Sequence, residues 1–173
     1  MKQTRLFGLA GWSGSGKTTL LTALIPVLIR RGLTVSTIKH AHHEFDIDKP
    51  GKDSYRHREA GATEVLVASG RRWALMHELR DAAEPDLEGL LARLAPVDLV
   101  LIEGFKRHRH PKLEVHRPSV GKPLLAPDDR DIIAIASDAA LDYARLPQLL
   151  LDDFAGIADL VIERALALPG PVA

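Results

Sequence analysis

The sequence predicts an α/β fold built on a mostly parallel sheet, and three observations predict it. A short apolar run, residues 6–10, ends at a glycine-rich loop, and an amphipathic helical pattern follows the loop. Apolar, β-branched runs then alternate with helical periodicity along the rest of the chain, the order that produces strand–helix–strand crossovers. Two of those runs, residues 97–102 and 131–136, are apolar at nearly every position rather than at alternate ones, as strands covered on both faces require.

The elements follow in order. Residues 17–31 read as a helix, with Leu20, Leu21, Leu24, Ile25 and Leu28 at three- and four-residue spacing and Gly32 just beyond the end. Pro26 removes one backbone bond inside it, so a kink or local irregularity is expected near Thr22. Residues 33–39 form the next strand, residues 40–53 a long loop, and residues 54–60 a short helix capped by Asp53 or Ser54. Residues 63–68 and 73–79 are two strands turning around Gly70, an antiparallel hairpin added at one edge of the sheet. Residues 86–94 are a helix capped by Asp86, residues 113–116 a short strand, and residues 153–168 the closing helix. The 173 residues fit one domain, expected over residues 1–168, with 169–173 a frayed tail.

Gly11, Gly16, Lys17 and Thr18 fill the pattern G-x-x-x-x-G-K-[ST], set between a strand and a helix as that pattern requires. The glycines let successive N–H groups turn inward, and the helix N-terminus adds partial positive charge where phosphates sit. Lys17 brings a point charge to the β- and γ-phosphates, and Thr18 offers a hydroxyl to Mg²⁺. The predicted phosphate-binding set is Gly11, Trp12, Ser13, Gly14, Ser15, Gly16, Lys17, Thr18 and Thr19, in a three-layer P-loop nucleoside triphosphatase fold. Trp12 either covers the ligand or packs. The metal is expected on Thr18 with Glu103, which ends a strand, while Asp98 lies at the wrong end of it; Asp46, Asp48 and Asp53 are further carboxylates for water-mediated contact, Asp46 first among them. No N-K-x-D motif, arginine-rich lid or well-placed glutamine accompanies the loop, so the motifs support slow or partner-assisted hydrolysis at most.

Composition narrows the class. Hydrophobic residues make up 46% and charged residues 27%, the formal net charge is zero, and cysteine is absent, so disulfides and thiolate metal sites are excluded. The first apolar run is too short for a signal peptide and no stretch is long enough to span a membrane, which points to the cytoplasm. Lys106, Arg107, Arg109, Lys112 and Arg117 face only Glu114 across residues 105–117, while acids dominate after Asp128. Such a patch suits a discrete anionic ligand or is a solvated loop; a long nucleic acid needs a wider basic face. His40, His42 and His43 suit zinc or nickel, or belong to an anion-binding or solvated loop beside Lys39, Lys49 and Lys52. His57 and His77 read as structural.

With these residues in place, the sequence resembles the molybdopterin-guanine dinucleotide biosynthesis adapter family, protein B, from Leu6 to about Leu168. The resemblance is carried by the phosphate loop, by Lys39-His40-x-His42-His43-x-Phe45-Asp46-x-Asp48, by Pro50-Gly51-Lys52-Asp53-Ser54 and Ala60-Gly61-Ala62, and by Leu101-Ile102-Glu103-Gly104-Phe105-Lys106. The runs Lys112-Leu113-Glu114-Val115 and Ile135-Ala136-Ser137-Asp138 complete it. It implies a homodimer that binds GTP with Mg²⁺, hydrolyses it poorly, and assists a guanylyltransferase partner, protein A, in attaching GMP to molybdopterin, with molybdoenzymes as possible further partners. It also implies an anionic pterin or partner surface around Lys39, His42, Lys52, Lys106 and Arg107, and makes Ser137 and Asp138 candidates for the guanine base, whose N1 and N2 hydrogens a carboxylate accepts. Two other readings stay open: a metallochaperone GTPase using the histidine loop, and a small-molecule kinase or ligase using ATP.

Overall fold

The computed structural model of the chain describes residues 3–41, 45–105 and 108–168. They fall into two compact units, one holding the residues up to His40 together with those from Leu90 onward, the other Ala41–Gly89. The elements are β1 Arg5–Ala10, α1 Lys17–Arg30, β2 Val35–Lys39, α2 Asp53–Glu59, β3 Glu64–Ala68, β4 Trp73–His77, α3 Leu87–Leu91, β5 Leu99–Glu103, β6 Lys112–His116, β7 Ile132–Ser137, β8 Gln148–Leu150, α4 Phe154–Arg164 and β9 Leu166–Ala167.

The larger unit carries a seven-stranded sheet in the order β2-β5-β1-β6-β7-β8, parallel throughout, with β9 added antiparallel to β1. β1 lies at its centre and is buried at every position from Leu6 to Ala10, which accounts for its continuous apolar run. On one face, Leu20, Leu21, Leu24 and Leu28 of α1 and Ile157, Ala158 and Val161 of α4 close over Phe7, Leu9, Leu101, Leu113, Val115 and Ala136. On the other, Ile132, Ile135 and Ala10 pack with Ala126 and the half-buried Leu124, Leu125 and Tyr143. α1 runs through Pro26 as one element. Thr22 and Pro26 both lie on its exposed side, so water can satisfy the Thr22 carbonyl that lacks a donor.

Several boundaries differ from the sequence expectation. α2 starts at Asp53 itself, preceded by Lys52 with no side-chain cap, so neither Asp53 nor Ser54 caps it. Asp86 does cap α3, accepting from the Gly89 N–H at 2.8 Å, but the helix ends at Leu91. Asp153 caps α4 through the Gly156 N–H at 2.9 Å, yet α4 ends at Arg164 rather than at Leu168. β6 begins opposite Gly8, which leaves Arg5 and Leu6 of β1 an open edge, and Leu166 and Ala167 leave the helix to pair with them. β8 was not anticipated at all.

In the smaller unit, β3 and β4 form the expected hairpin, closed by Ser69 and Arg72, as a two-stranded sheet of its own rather than an extension of the main sheet. Arg58 organises this unit: its guanidinium reaches Asp46 at 2.8 Å, Asp48 at 3.0 Å and Glu78 at 3.5 Å and lies over the Tyr55 ring. Leu66, Trp73 and Leu75 of the hairpin are exposed.

Candidate functional site

The parallel strands end together, so the turns that follow β5, β1, β6 and β7 meet at the C-terminal edge of the sheet, where open α/β sheets hold their ligands. Gly11–Gly16 is the turn between β1 and α1. Two of its glycines are required by the backbone. Gly11 has φ +145°, and a Cβ there would stand 2.5 Å from the Val115 carbonyl oxygen; Gly16 has φ +95°, and a Cβ there would lie 3.2 Å from Arg117 Nε. Lys17 folds back across the loop, its Nζ donating to the Gly11 and Trp12 carbonyls at 3.0 and 2.8 Å. Ser15 is buried, its hydroxyl unpartnered among the described residues, while Ser13, Gly14, Thr18 and Thr19 are exposed. Trp12 anchors the loop from outside: its Nε1 donates to the Pro123 carbonyl at 2.7 Å, and the Lys122 ammonium stands 5.9 Å from the ring centroid. That is the packing alternative for Trp12.

Glu103 ends β5 beside β1, nine-tenths buried, and accepts from the Thr18 hydroxyl at 2.9 and 3.1 Å. Lys39, at the end of the neighbouring β2, brings its ammonium within 4.0 Å of the same carboxylate while staying mostly exposed. The turn after Glu103 is pinned by Phe105, a non-glycine residue at φ 48° buried against the rings of His40 and His108. His40 is thereby engaged in packing. Asp98 is structural, accepting from the N–H and hydroxyl of Thr34 at 2.9 and 2.8 Å.

Ser137 and Asp138 close β7 next to the end of β6. Ser137 is buried and its hydroxyl accepts from the Ala139 N–H at 3.2 Å, whereas the exposed Asp138 binds Arg117 Nη1 at 2.6 Å. Asp138, Arg117, Gly16, Thr19, Leu20 and Phe154 line a cleft of about 320 Å³ against the phosphate loop. Of the other expected residues, Asp46 pairs with Arg58 in the smaller unit, where Lys52 is exposed ahead of α2. His42, Lys106 and Arg107 lie outside the described residues.

Among the described residues, the bases of the run 105–117 are paired with acids. Lys112 is 1% exposed, with its ammonium 2.9 Å from Asp129 and 4.0 Å from Asp131. Arg109 binds Asp131 at 2.9 Å and Arg117 binds Asp138 at 2.6 Å. Their partners, Asp129, Asp131 and Asp138, come from the acidic C-terminal third. Glu114 is fully buried and accepts from the N–H groups of Leu125 and Ala126 at 2.7 and 2.9 Å. His110 is buried against Gly8, with both ring nitrogens unpartnered among the described residues; burial, helped by the Lys112 and His108 charges, pushes it down to about 4.

A glycine-rich turn from a central parallel strand into a helix, with its lysine and threonine in place and an acid on the adjacent strand, defines a P-loop nucleotide-binding fold. Residues 6–138 match the model of the family described as "Molybdopterin guanine dinucleotide synthesis protein B". The chain belongs to that family. It is 48% identical over 163 residues to the molybdopterin-guanine dinucleotide biosynthesis adapter protein of Escherichia coli (strain K12), covering 91% of each chain. It is 44% identical to the protein of the same name from Haemophilus influenzae, covering 85% of this chain and 86% of that one. Among solved structures, a crystal structure of molybdopterin-guanine biosynthesis protein B superimposes with a TM-score of 0.72 at 26% identity, covering 91% of this chain and 98% of the other. The Bacillus subtilis MobB crystal structure gives 0.70 at 26% identity, over 93% and 98%.

Proposed function

We propose that this chain binds GTP with Mg²⁺ and serves as an adapter in molybdenum cofactor biosynthesis, beside a guanylyltransferase that attaches GMP to molybdopterin. The observation that carries the reading is the contact between the Thr18 hydroxyl and the buried Glu103 at the foot of the phosphate loop, in a chain that matches the adapter proteins over most of its length. A hydroxyl and a carboxylate are hard oxygen donors of the kind Mg²⁺ takes, so Thr18 and Glu103 would hold the ion, directly or through water. Bound there, the metal would neutralise triphosphate charge. Gly11 to Thr19 would cradle the phosphates, and Asp138 would accept from the guanine base, with Ser137 ordering the turn behind it.

Slow turnover fits the use of the two glutamines. Gln3 donates to the Leu168 carbonyl and Gln148 bonds the backbone of Leu141 and Tyr143, so both are engaged in holding the fold. The proposed role is to hold GTP near a partner's chemistry in the cytoplasm. The exposed apolar side chains of the β3–β4 hairpin support a homodimer, and the exposed ammonium group of Lys39 supports a surface for an anionic pterin or partner. Among the described residues no helix is long and apolar enough to cross a membrane. Affinity capture from cell extract with GTP and Mg²⁺ tests the proposal: recovery of a guanylyltransferase is expected, and its absence from GTP-loaded samples would count against it.

A further inference from the structure

Arg117 bridges the two ends of the candidate nucleotide site. It follows β6 directly in extended backbone, and Asp138 follows β7 directly; because His116 and Ser137 are register partners, the two side chains emerge side by side. Its Nη1 binds Asp138 Oδ2 at 2.6 Å, and its Nε donates to the Ser15 carbonyl at 3.2 Å. The bond to Ser15 matters because a trans peptide points its C=O and the following N–H in opposite directions. Holding the Ser15 oxygen toward Arg117 therefore turns the Gly16 N–H the other way, at the N-terminus of α1. Only a fork of donors reaches both partners at once: a lysine ammonium supplies the charge but not two separated N–H groups in one plane.

We propose that Arg117 is a positioning residue that couples the base-side carboxylate Asp138 to the phosphate loop, and that this coupling sets a preference for guanine. The inference rests on the reading of the cleft as a GTP site. Arg117 keeps one Asp138 oxygen engaged and the carboxylate oriented across the cleft; the other oxygen has no partner among the described residues and is available to a base carrying N–H donors. Guanine presents such donors at N1 and N2, whereas adenine presents a bare N1 acceptor, which a carboxylate repels. Leu20 and Phe154 give the cleft apolar walls for a ring.

The test is calorimetric titration of the full chain with GTP, ATP and inorganic tripolyphosphate, each with Mg²⁺. The proteins are the wild type, Arg117→Ala, Arg117→Lys, Asp138→Asn and the Arg117→Ala/Asp138→Asn double variant, each checked for folding by thermal melting. The expected result is a GTP-over-ATP preference that falls about tenfold or more in Arg117→Ala, the scale of one charge-assisted hydrogen bond, and is not restored in Arg117→Lys. The Arg117 and Asp138 losses should also be non-additive, the double variant binding GTP within about threefold of the weaker single one. A merely structural or electrostatic arginine predicts something else: GTP, ATP and tripolyphosphate weakened alike, the preference unchanged, and Arg117→Lys near wild type. That pattern would overturn the proposal. If the wild type binds tripolyphosphate yet shows no preference between GTP and ATP, the GTP reading itself fails and the proposal with it, a result distinct from a change confined to the variants.

Discussion

Replacing Asp129 by asparagine removes one charge from a buried pair without changing its shape, and the structure sets the size of the effect. Lys112 Nζ is 2.9 Å from Asp129 Oδ2 and only 1% of the side chain is exposed, so water cannot take over the lost contact. Asparagine can keep the bond that Asp129 Oδ1 accepts from the Asp131 N–H at 3.0 Å, but it then turns an N–H₂ group toward the ammonium. Breaking a buried pair by removing one partner costs about 3–5 kcal/mol. Asp131 remains 4.0 Å away, already bound to Arg109, so the low end of that range applies, about 3 kcal/mol. At about 2–4 °C per kcal/mol for a chain of this size, the midpoint of thermal unfolding should fall by roughly 6–12 °C. Urea unfolding should show a lower midpoint with an unchanged slope. Adding Lys112→Met should recover most of the loss, bringing the double variant within about 1.5 kcal/mol of wild type, because an apolar side chain leaves no charge to be stranded. A loss below about 1 kcal/mol in Asp129→Asn, or a double variant as unstable as the single one, would refute the claim that Lys112 is a buried charge held by Asp129.

Gly11→Ala should destabilise the fold by at least about 1–3 kcal/mol in urea unfolding, since it combines a disallowed backbone angle with a Cβ 2.5 Å from the Val115 oxygen; wild-type stability would contradict the loop geometry. His110 titrates at about 4 in the folded chain against 6.5 unfolded, so the unfolded state takes up its proton first. Its contribution is therefore intact above pH 6.5 and is lost as the pH falls toward 4, by roughly 3 kcal/mol in all. His110→Leu should remove that part of the pH dependence, and an unchanged difference in unfolding free energy between pH 7 and pH 4.5 would show that the histidine is not held neutral. Glu103→Gln should weaken Mg²⁺ dependence of nucleotide binding about tenfold or more with little effect on binding without the metal; an untouched metal affinity would assign the ion to another acid.

What the sequence revealed and what it hid divide along a physical line. The phosphate loop and the elements around it were legible because backbone geometry demands particular residues at fixed spacing: glycine where φ is positive, lysine and threonine at the first helical turn. Glu103 was legible because it ends an apolar run beside that loop. The roles of Arg117 and Lys112 were not, because each looked like one more member of a basic run, while the partners that define it, Asp138 and Ser15 for the first and Asp129 for the second, come from other strands and turns. Register decides such pairings, and no local pattern encodes it. The chain's last turn was misread for a related reason: 166–168 continues a helical pattern, but the free edge of β1 offers backbone hydrogen bonds that a helix end does not. In the histidine loop, His40 packs on Phe105, an aromatic contact that its neighbours in sequence do not announce.

The central claim, that this chain holds GTP through the loop Gly11 to Thr18, is tested most directly by titrating GTP with Mg²⁺ into the wild type and Lys17→Ala. Lys17 projects from the first turn of α1, and its Nζ donates to the Gly11 and Trp12 carbonyls at the rim of the fold; the variant is checked for folding by thermal melting before titration. Saturable binding to the wild type is expected, with GTP favoured over ATP, and a loss of about a hundredfold or more in the variant, since the lysine would supply charge-assisted bonds to the phosphates. Equal affinity in the two proteins would contradict the claim.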